Sequence, residues 1–286
     1  MSDKWNYRSP ANISERSLHI EVIADYGGGH TTDHAFAEVR NHFYRFDTYS
    51  KIKSVSEHPV YAFSTIETGF WIAQMGLHSE HKNLIIFSNT APRGDIIWKG
   101  DRRQYFVCAL LDNGIPVFAV NAGYNLSFIK ERLNGVWVVE CPNEGTQFRS
   151  RDYYPEATLA ILNGDKSRIG RELKISDIPD APEFRVASVD GYGNLKTTIK
   201  KSQLAESVVN SLILRVTINK KSYFVLNTLN GAHGKVGDLC MVQGSSGGKK
   251  GNYIEFIKMM GKAAEKFYIE GSNDDMEKIE IETVKE

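Results

Sequence analysis

Charge of one sign is missing from this chain. Thirty-five lysines and arginines face thirty-five aspartates and glutamates over 286 residues, so the formal net charge is zero. A general nucleic-acid binder carries a basic surplus that neutralises phosphates, so no nucleic-acid partner is expected. The same balance gives no support to a polybasic membrane patch. Long apolar runs are missing too. The longest, around Phe106–Leu111, is far short of the ~20 residues that cross a bilayer, so no membrane partner is expected. Met1-Ser2-Asp3-Lys4-Trp5-Asn6 lacks the apolar segment of a secretory signal. Cysteine is scarce. Cys108, Cys141 and Cys240 are odd in number and widely spaced, with no C-x-x-C, which points to reduced, buried thiols and a cytoplasmic location. What these absences leave is a protein that handles a small molecule.

What is present is ordinary globular material, 41% hydrophobic and 24% charged, enough for one large domain or two ordinary ones. After a polar arm over 1–17, Leu18–Ala24 alternates and then turns apolar, as a strand does, and ends at Asp25-Tyr26-Gly27-Gly28-Gly29. Thr32-Asp33 can cap a helix through Ala35, Val39 and Phe43. A second helical stretch, Ser64–Leu77, precedes four apolar strand candidates: Asn83–Ser88, Tyr105–Leu110, Val117–Val120 and Val136–Val139. Strands alternating with helices predict an α/β domain with a largely parallel sheet over 18–178. Ile178-Pro179-Asp180-Ala181-Pro182 reads as a linker. Five short strands follow, at Phe184–Val189, Leu212–Ile218, Tyr223–Leu226, Asp238–Gln243 and Tyr253–Ile257. They predict a smaller C-terminal domain over 183–270, a small β-barrel or sandwich, with a polar tail over 271–286.

Each polar motif admits two readings. The stretch from Asp25 to Asp33 follows a strand and opens a helix, where ligands collect in α/β sheets; it is equally a glycine-rich turn capped by Asp33. His30 and His34 are spaced like a metal pair, but no third ligand accompanies them and no metal is expected. Val189-Asp190-Gly191-Tyr192-Gly193-Asn194 is either a turn held by an Asx hydrogen bond or a ligand-binding trio of carboxylate, aromatic ring and amide. Gly244-Ser245-Ser246-Gly247-Gly248 is either an anion-holding nest of backbone N–H groups or a hairpin tip.

Taken in order, these segments resemble the S-adenosylmethionine hydroxide adenosyltransferases, a family that includes the fluorinases and chlorinases. Asp25-Tyr26-Gly27…Thr31-Thr32-Asp33 is similar to the family's first loop. Leu111-Asp112-Asn113-Gly114 resembles its P-D-N-G turn, and Phe148-Arg149-Ser150-Arg151-Asp152 the segment that ends its first domain. Asp190–Ile199 resembles its D-x-F-G-N-x-x-T-N-I, and Gly244-Ser245-Ser246-Gly247 with Tyr253–Phe256 its G-S-S-G-x-L-E-I. The resemblance implies an α/β domain followed by a β-barrel, and a homotrimer whose ligand sits between subunits. It implies S-adenosyl-L-methionine as substrate or ligand and no further cofactor. Residue by residue, it places Asp25 on the ribose hydroxyls, Asp33 and Asp190 on the methionine ammonium, and Asn194 on the adenine edge. Tyr192 packs against the adenosine, Ser245 and Ser246 take the carboxylate, and Ser150 lies beside the nucleophile.

Hydrolytic members of that family handle the attacking water with an Asp-Arg-His set. Here the aspartate position falls at Ala91 and the histidine at Arg149, with Arg93, Arg102 and Arg103 as candidates for the third place. Also, Lys196 stands where the halogenating members carry an aromatic residue. The resemblance implies hydrolysis of S-adenosylmethionine to adenosine and methionine, with Arg149 and Ser150 at the reacting centre. Displacement by another anion such as halide, and a non-catalytic adenosyl-binding protein, are the competing readings.

Overall fold

The computed structural model describes residues 17–27, 32–79, 81, 83–92, 104–142, 146–248, 253–276 and 278–284. The chain divides into two units, Met1–Ala181 and Pro182–Glu286. His30, Arg93, Arg102 and Arg103 lie outside the described residues, as does most of the arm read over 1–17.

The first unit is built on one seven-stranded sheet: β1 (Leu18–Ala24), β2 (Ile52–Pro59), β3 (Leu84–Asn89), β4 (Phe106–Leu111), β5 (Pro116–Val120), β6 (Leu133–Val139) and β7 (Ile169–Glu172), in the order β2-β1-β3-β5-β4-β6-β7. Helices α1 (His34–Phe46), α2 (Thr65–His78), α3 (Arg149–Asp152) and α4 (Tyr154–Leu162) accompany it. The strand runs are continuously apolar because both faces are covered. Phe106, Cys108 and Leu110 of β4 pack on one face with Phe36, Val39 and Phe43 of α1 and with Leu159 of α4. Val107, Ala109 and Leu111 pack on the other with Ile72 and Ala73 of α2. Burial pushes the Cys108 thiol up to about 12, which suits an inert core residue.

The sheet differs from the largely parallel one expected. The pairs β1–β2, β1–β3 and β3–β5 are parallel, but β4–β5, β4–β6 and β6–β7 are antiparallel. The cause is local. Only four residues, Asp112 to Ile115, join β4 to β5, with Gly114 at φ 87°, and so short a connection cannot carry a parallel crossover.

The second unit holds another seven-stranded sheet: β8 (Val186–Val189), β9 (Leu195–Lys200), β10 (Ile213–Ile218), β11 (Lys221–Asn227), β12 (Leu239–Gln243), β13 (Tyr253–Lys258) and β14 (Glu280–Thr283), ordered β14-β10-β11-β12-β13-β9-β8. Two short helices, α5 (Glu206–Asn210) and α6 (Ala263–Phe267), pack on its apolar face through Val208, Ala263, Ala264 and Phe267. Asn219 and Lys220, both at positive φ, make the two-residue turn that the twist of a β-hairpin favours. The sheet curls, and Ile279 N donates to Phe184 O at 2.6 Å beside the two edge strands. Among the described residues no ladder joins β14 to β8, so the sheet is a curled half-barrel, which meets the expected β-barrel in part. The stretch 271–286, read as a polar tail, contributes β14, which pairs with β10.

Candidate functional site

The parallel strands β1, β3 and β5 end along one edge of the first sheet, where α/β folds gather ligands. A cavity of about 500 Å³ opens there, bordered by Asp25, Asn89 and Val120 at the three strand ends. Ala91, Phe148, Arg149, Ser150 and Tyr154 complete its working wall. Asp25, Ala91, Arg149 and Ser150, named from three distant stretches of sequence, therefore meet at one void.

Local structure holds each of them. Asp25 Oδ2 accepts a hydrogen bond from Phe63 N at 2.9 Å. Phe63 makes this possible with φ 61°, a left-handed conformation that a bulky residue adopts at a cost of order 1–3 kcal/mol. Such strain concentrates at functional sites. Tyr26 stands edge-on between Phe36 and Phe148, with centroids at 5.1 and 5.3 Å. Its hydroxyl is enclosed and makes no complete hydrogen bond. Burial pushes the phenol upward against the opposing pull of the neighbouring Ser150 hydroxyl, so Tyr26 is a neutral donor at physiological pH.

Buried Asn125 places Ala91. Its side-chain amide donates to Thr90 O at 2.7 Å and Val120 O at 2.9 Å, tying the ends of β3 and β5 together. Arg149 opens α3 and Ser150, 5% exposed, is buried within it. Arg151 fixes that turn by pairing with Asp152 at 2.7 Å and with Glu38 of α1 at 2.6 Å. The carboxylate nearest in sequence to Arg149 is thus engaged by its neighbour.

A second cavity, of about 740 Å³, lies at the antiparallel half of the same edge, where β4 starts and β6 ends. Gln104, Arg149 and Tyr154 border both cavities.

The remaining motif residues are elsewhere. Asp33 is exposed at the N-cap of α1, where it accepts from Ala35 N at 2.7 Å. In the second unit, Asp190 Oδ1 accepts from Tyr192 N at 2.9 Å and Asn194 N at 3.0 Å. Its Oδ2 accepts from Asn194 Nδ2 at 3.0 Å, and the Tyr192 ring stands 81% exposed. Ser246 is buried. Ser245 N donates to Glu255 Oε1 at 3.1 Å, and Lys196 pairs with the same carboxylate at 2.9 Å in an almost fully buried ion pair. Lys196 Nζ also lies 3.5 Å from Ser245 Oγ, linking the loop before β13 to the strand that follows Asn194. Gly244 is required there: a Cβ would sit 2.4 Å from the Glu255 side chain.

Phe63, Gln104 and Tyr154 are cavity residues that sequence reasoning missed. Tyr154 alone left a signal, as an aromatic beside the Phe148–Asp152 segment. Among the described residues no cluster of three metal-ligating side chains occurs, and no helix is long and apolar enough to cross a membrane.

No protein-family model and no curated protein matches the chain. A solved structure described as an uncharacterized conserved protein from Thermotoga maritima is similar, with a TM-score of 0.67 at 16% identity. The alignment covers 92% of this chain and 99% of that one. The likeness establishes a shared fold across both units.

Proposed function

We propose that the cavity beside Asp25 binds S-adenosyl-L-methionine and that the protein hydrolyses it to adenosine and methionine. One observation carries this reading: Asp25, Ala91, Arg149 and Ser150, matched separately to one family's motifs, line a single cavity of nucleoside-accommodating size. Asp25 takes the ribose hydroxyls through charge-assisted hydrogen bonds. Water attacks the 5′ carbon in line, the carbon–sulfur bond breaks, and its electron pair stays on sulfur. Methionine then leaves as a neutral thioether, so no general acid is needed. The water proton goes to solvent. The residues' work is alignment and electrostatic support: Ser150 positions the nucleophile, and the Arg149 guanidinium favours its anionic form. Asp33, Asp190, Tyr192, Asn194, Ser245 and Ser246 keep the roles implied by the resemblance, within a homotrimer whose neighbouring chain supplies the second-unit residues.

A non-catalytic adenosyl-binding protein is the second reading, favoured by Ala91 on the cavity wall where a carboxylate would handle water. Incubation with S-adenosylmethionine followed by nucleoside chromatography tests both. Adenosine release supports hydrolysis, a 5′-substituted nucleoside displacement by another anion, and saturable binding without product the second reading. Neither binding nor product overturns all of them. Since Ala91 and Arg149 line the same cavity, Ala91→Asp with Arg149→His should raise adenosine release by more than the two single changes together, because coupled catalytic groups act non-additively. A double variant no faster than the better single one removes these positions from water handling.

A further inference from the structure

We infer that Tyr26 is a positioning residue for Ser150: its hydroxyl donates to Ser150 Oγ, turns the serine's own proton into the cavity beside Asp25, and so makes that site select an anionic nucleophile. The inference rests on the reading of that cavity given above. Tyr26 and Ser150 both border it, yet the Tyr26 hydroxyl oxygen is itself enclosed and makes no complete hydrogen bond. An enclosed hydroxyl without a partner costs stability. Phenylalanine would fill the same space without that cost, so the oxygen calls for a use.

The surroundings of the phenol point to Ser150. The Tyr26 ring packs edge-on against Phe36 and Phe148, with centroids at 5.1 and 5.3 Å, and neither ring carries an acceptor oxygen. Phe148 begins the turn that carries Ser150: its carbonyl accepts from Arg151 N at 3.0 Å and Asp152 N at 3.1 Å. Arg151 ties that turn to Glu38 of α1. The ring and the serine are thus held side by side, and the Ser150 hydroxyl opposes the upward push that burial gives the phenol. A serine hydroxyl has one proton and two acceptor positions. When one of these takes the Tyr26 proton, the Ser150 proton is left for the cavity, as a donor strengthened by the bond behind it. Such a donor holds hydroxide or another anion through a charge-assisted hydrogen bond. Tyr26 stays protonated throughout, because burial disfavours the phenolate; it moves no proton and touches no reacting atom.

The test is a double-mutant cycle read on kcat and KM with S-adenosylmethionine, the product being adenosine or a 5′-substituted nucleoside. Tyr26→Phe removes one oxygen and keeps the ring. It should lower kcat about threefold to tenfold, the worth of one hydrogen bond, and leave KM within about twofold. Its urea-unfolding midpoint should be no lower than the parent's, because an enclosed hydroxyl without a partner is gone. In a Ser150→Ala background the same change should have no further effect on kcat, since the group it acts through is missing. An unchanged kcat, an equal loss in both backgrounds, or a loss accompanied by a lower midpoint would each overturn the inference and leave the function of the cavity standing. A parent that forms no product overturns the reading of the cavity and the inference with it, so the parent's own activity tells the two failures apart.

Discussion

The two units use the same polar residue types in opposite ways. In the first, Asp25, Arg149 and Ser150 come from stretches more than a hundred residues apart and face a void. In the second, carboxylates turn inward on their own turn or on the neighbouring strand. Asp190 accepts three hydrogen bonds from Tyr192 and Asn194, filling three of the roughly four acceptor positions a carboxylate has. Glu255 is taken by Lys196 and the Ser245 amide. Polar groups gathered over long range around empty space read as recognition. Polar groups that satisfy one another are first of all structure, and any ligand must be added to bonds already made.

The sharpest way to break this contrast is at Lys196–Glu255. Glu255→Leu leaves a charged lysine buried without its partner, which costs about 3–5 kcal/mol. Denaturant unfolding should show that loss. A change below about 1 kcal/mol would mean the pair is not structural and would make Lys196 a candidate ligand group. Asp25→Ala should do the reverse, sparing the fold while weakening adenosyl-ligand binding. Two charge-assisted bonds at ~1.5–3 kcal/mol each imply a loss of about tenfold or more. Calorimetry giving a dissociation constant within about twofold of the parent would remove Asp25 from the site. Asp190→Ala comes third. Its turn is solvent-facing, so losing three bonds should cost only about 1–2 kcal/mol, seen as faster hydrogen exchange at the Tyr192 and Asn194 amides. Unchanged exchange would show that Gly193, at φ 74°, holds the turn by itself.

How much of this was legible in the sequence follows from burial. β1, β3, β4, β5 and β6 carry apolar runs because neighbours cover both faces, and each was readable. The strands not read from the sequence are β2, β7, β9 and β14; three are sheet edges, and the fourth, β9, is interior but buries Lys196, Thr197 and Thr198 in place of an apolar run. Ile52–Pro59 is mostly half-exposed, and Glu280–Thr283 is almost wholly exposed, so neither carries a clear hydrophobic period. At the site, Asp25 was visible because a carboxylate closes an apolar strand. Phe63 was not, since its contribution is a backbone N–H aimed by a positive φ that no side chain announces. The mixed sheet was within reach, because the Asp112-Asn113-Gly114 turn is too short for a parallel crossover, but the alternation of strands and helices pointed the other way.

The smallest expected effect belongs to the β2 edge and concerns pH. Glu21 on β1 is paired with His58 on β2, two positions beyond its register partner Ser56 in the parallel ladder. The histidine's hydrogen bond, the largest influence, holds the Glu21 carboxyl below its ordinary value of 4.5 despite partial burial. A carboxyl depressed in the folded state contributes stability above its unfolded pKa and loses it as pH falls through the folded one. Both side chains keep solvent contact, so screening limits the contribution to about 0.5–1 kcal/mol. Glu21→Gln should therefore be less stable than the parent by that amount at pH 6. The gap should close as pH drops from about 5 toward the depressed folded value, because the unfolded parent then takes up a proton that the folded parent still refuses. Urea unfolding of both proteins along this pH series measures the gap directly. A difference that persists undiminished at the acid end would show that Glu21 acts through packing at the sheet edge rather than through its charge.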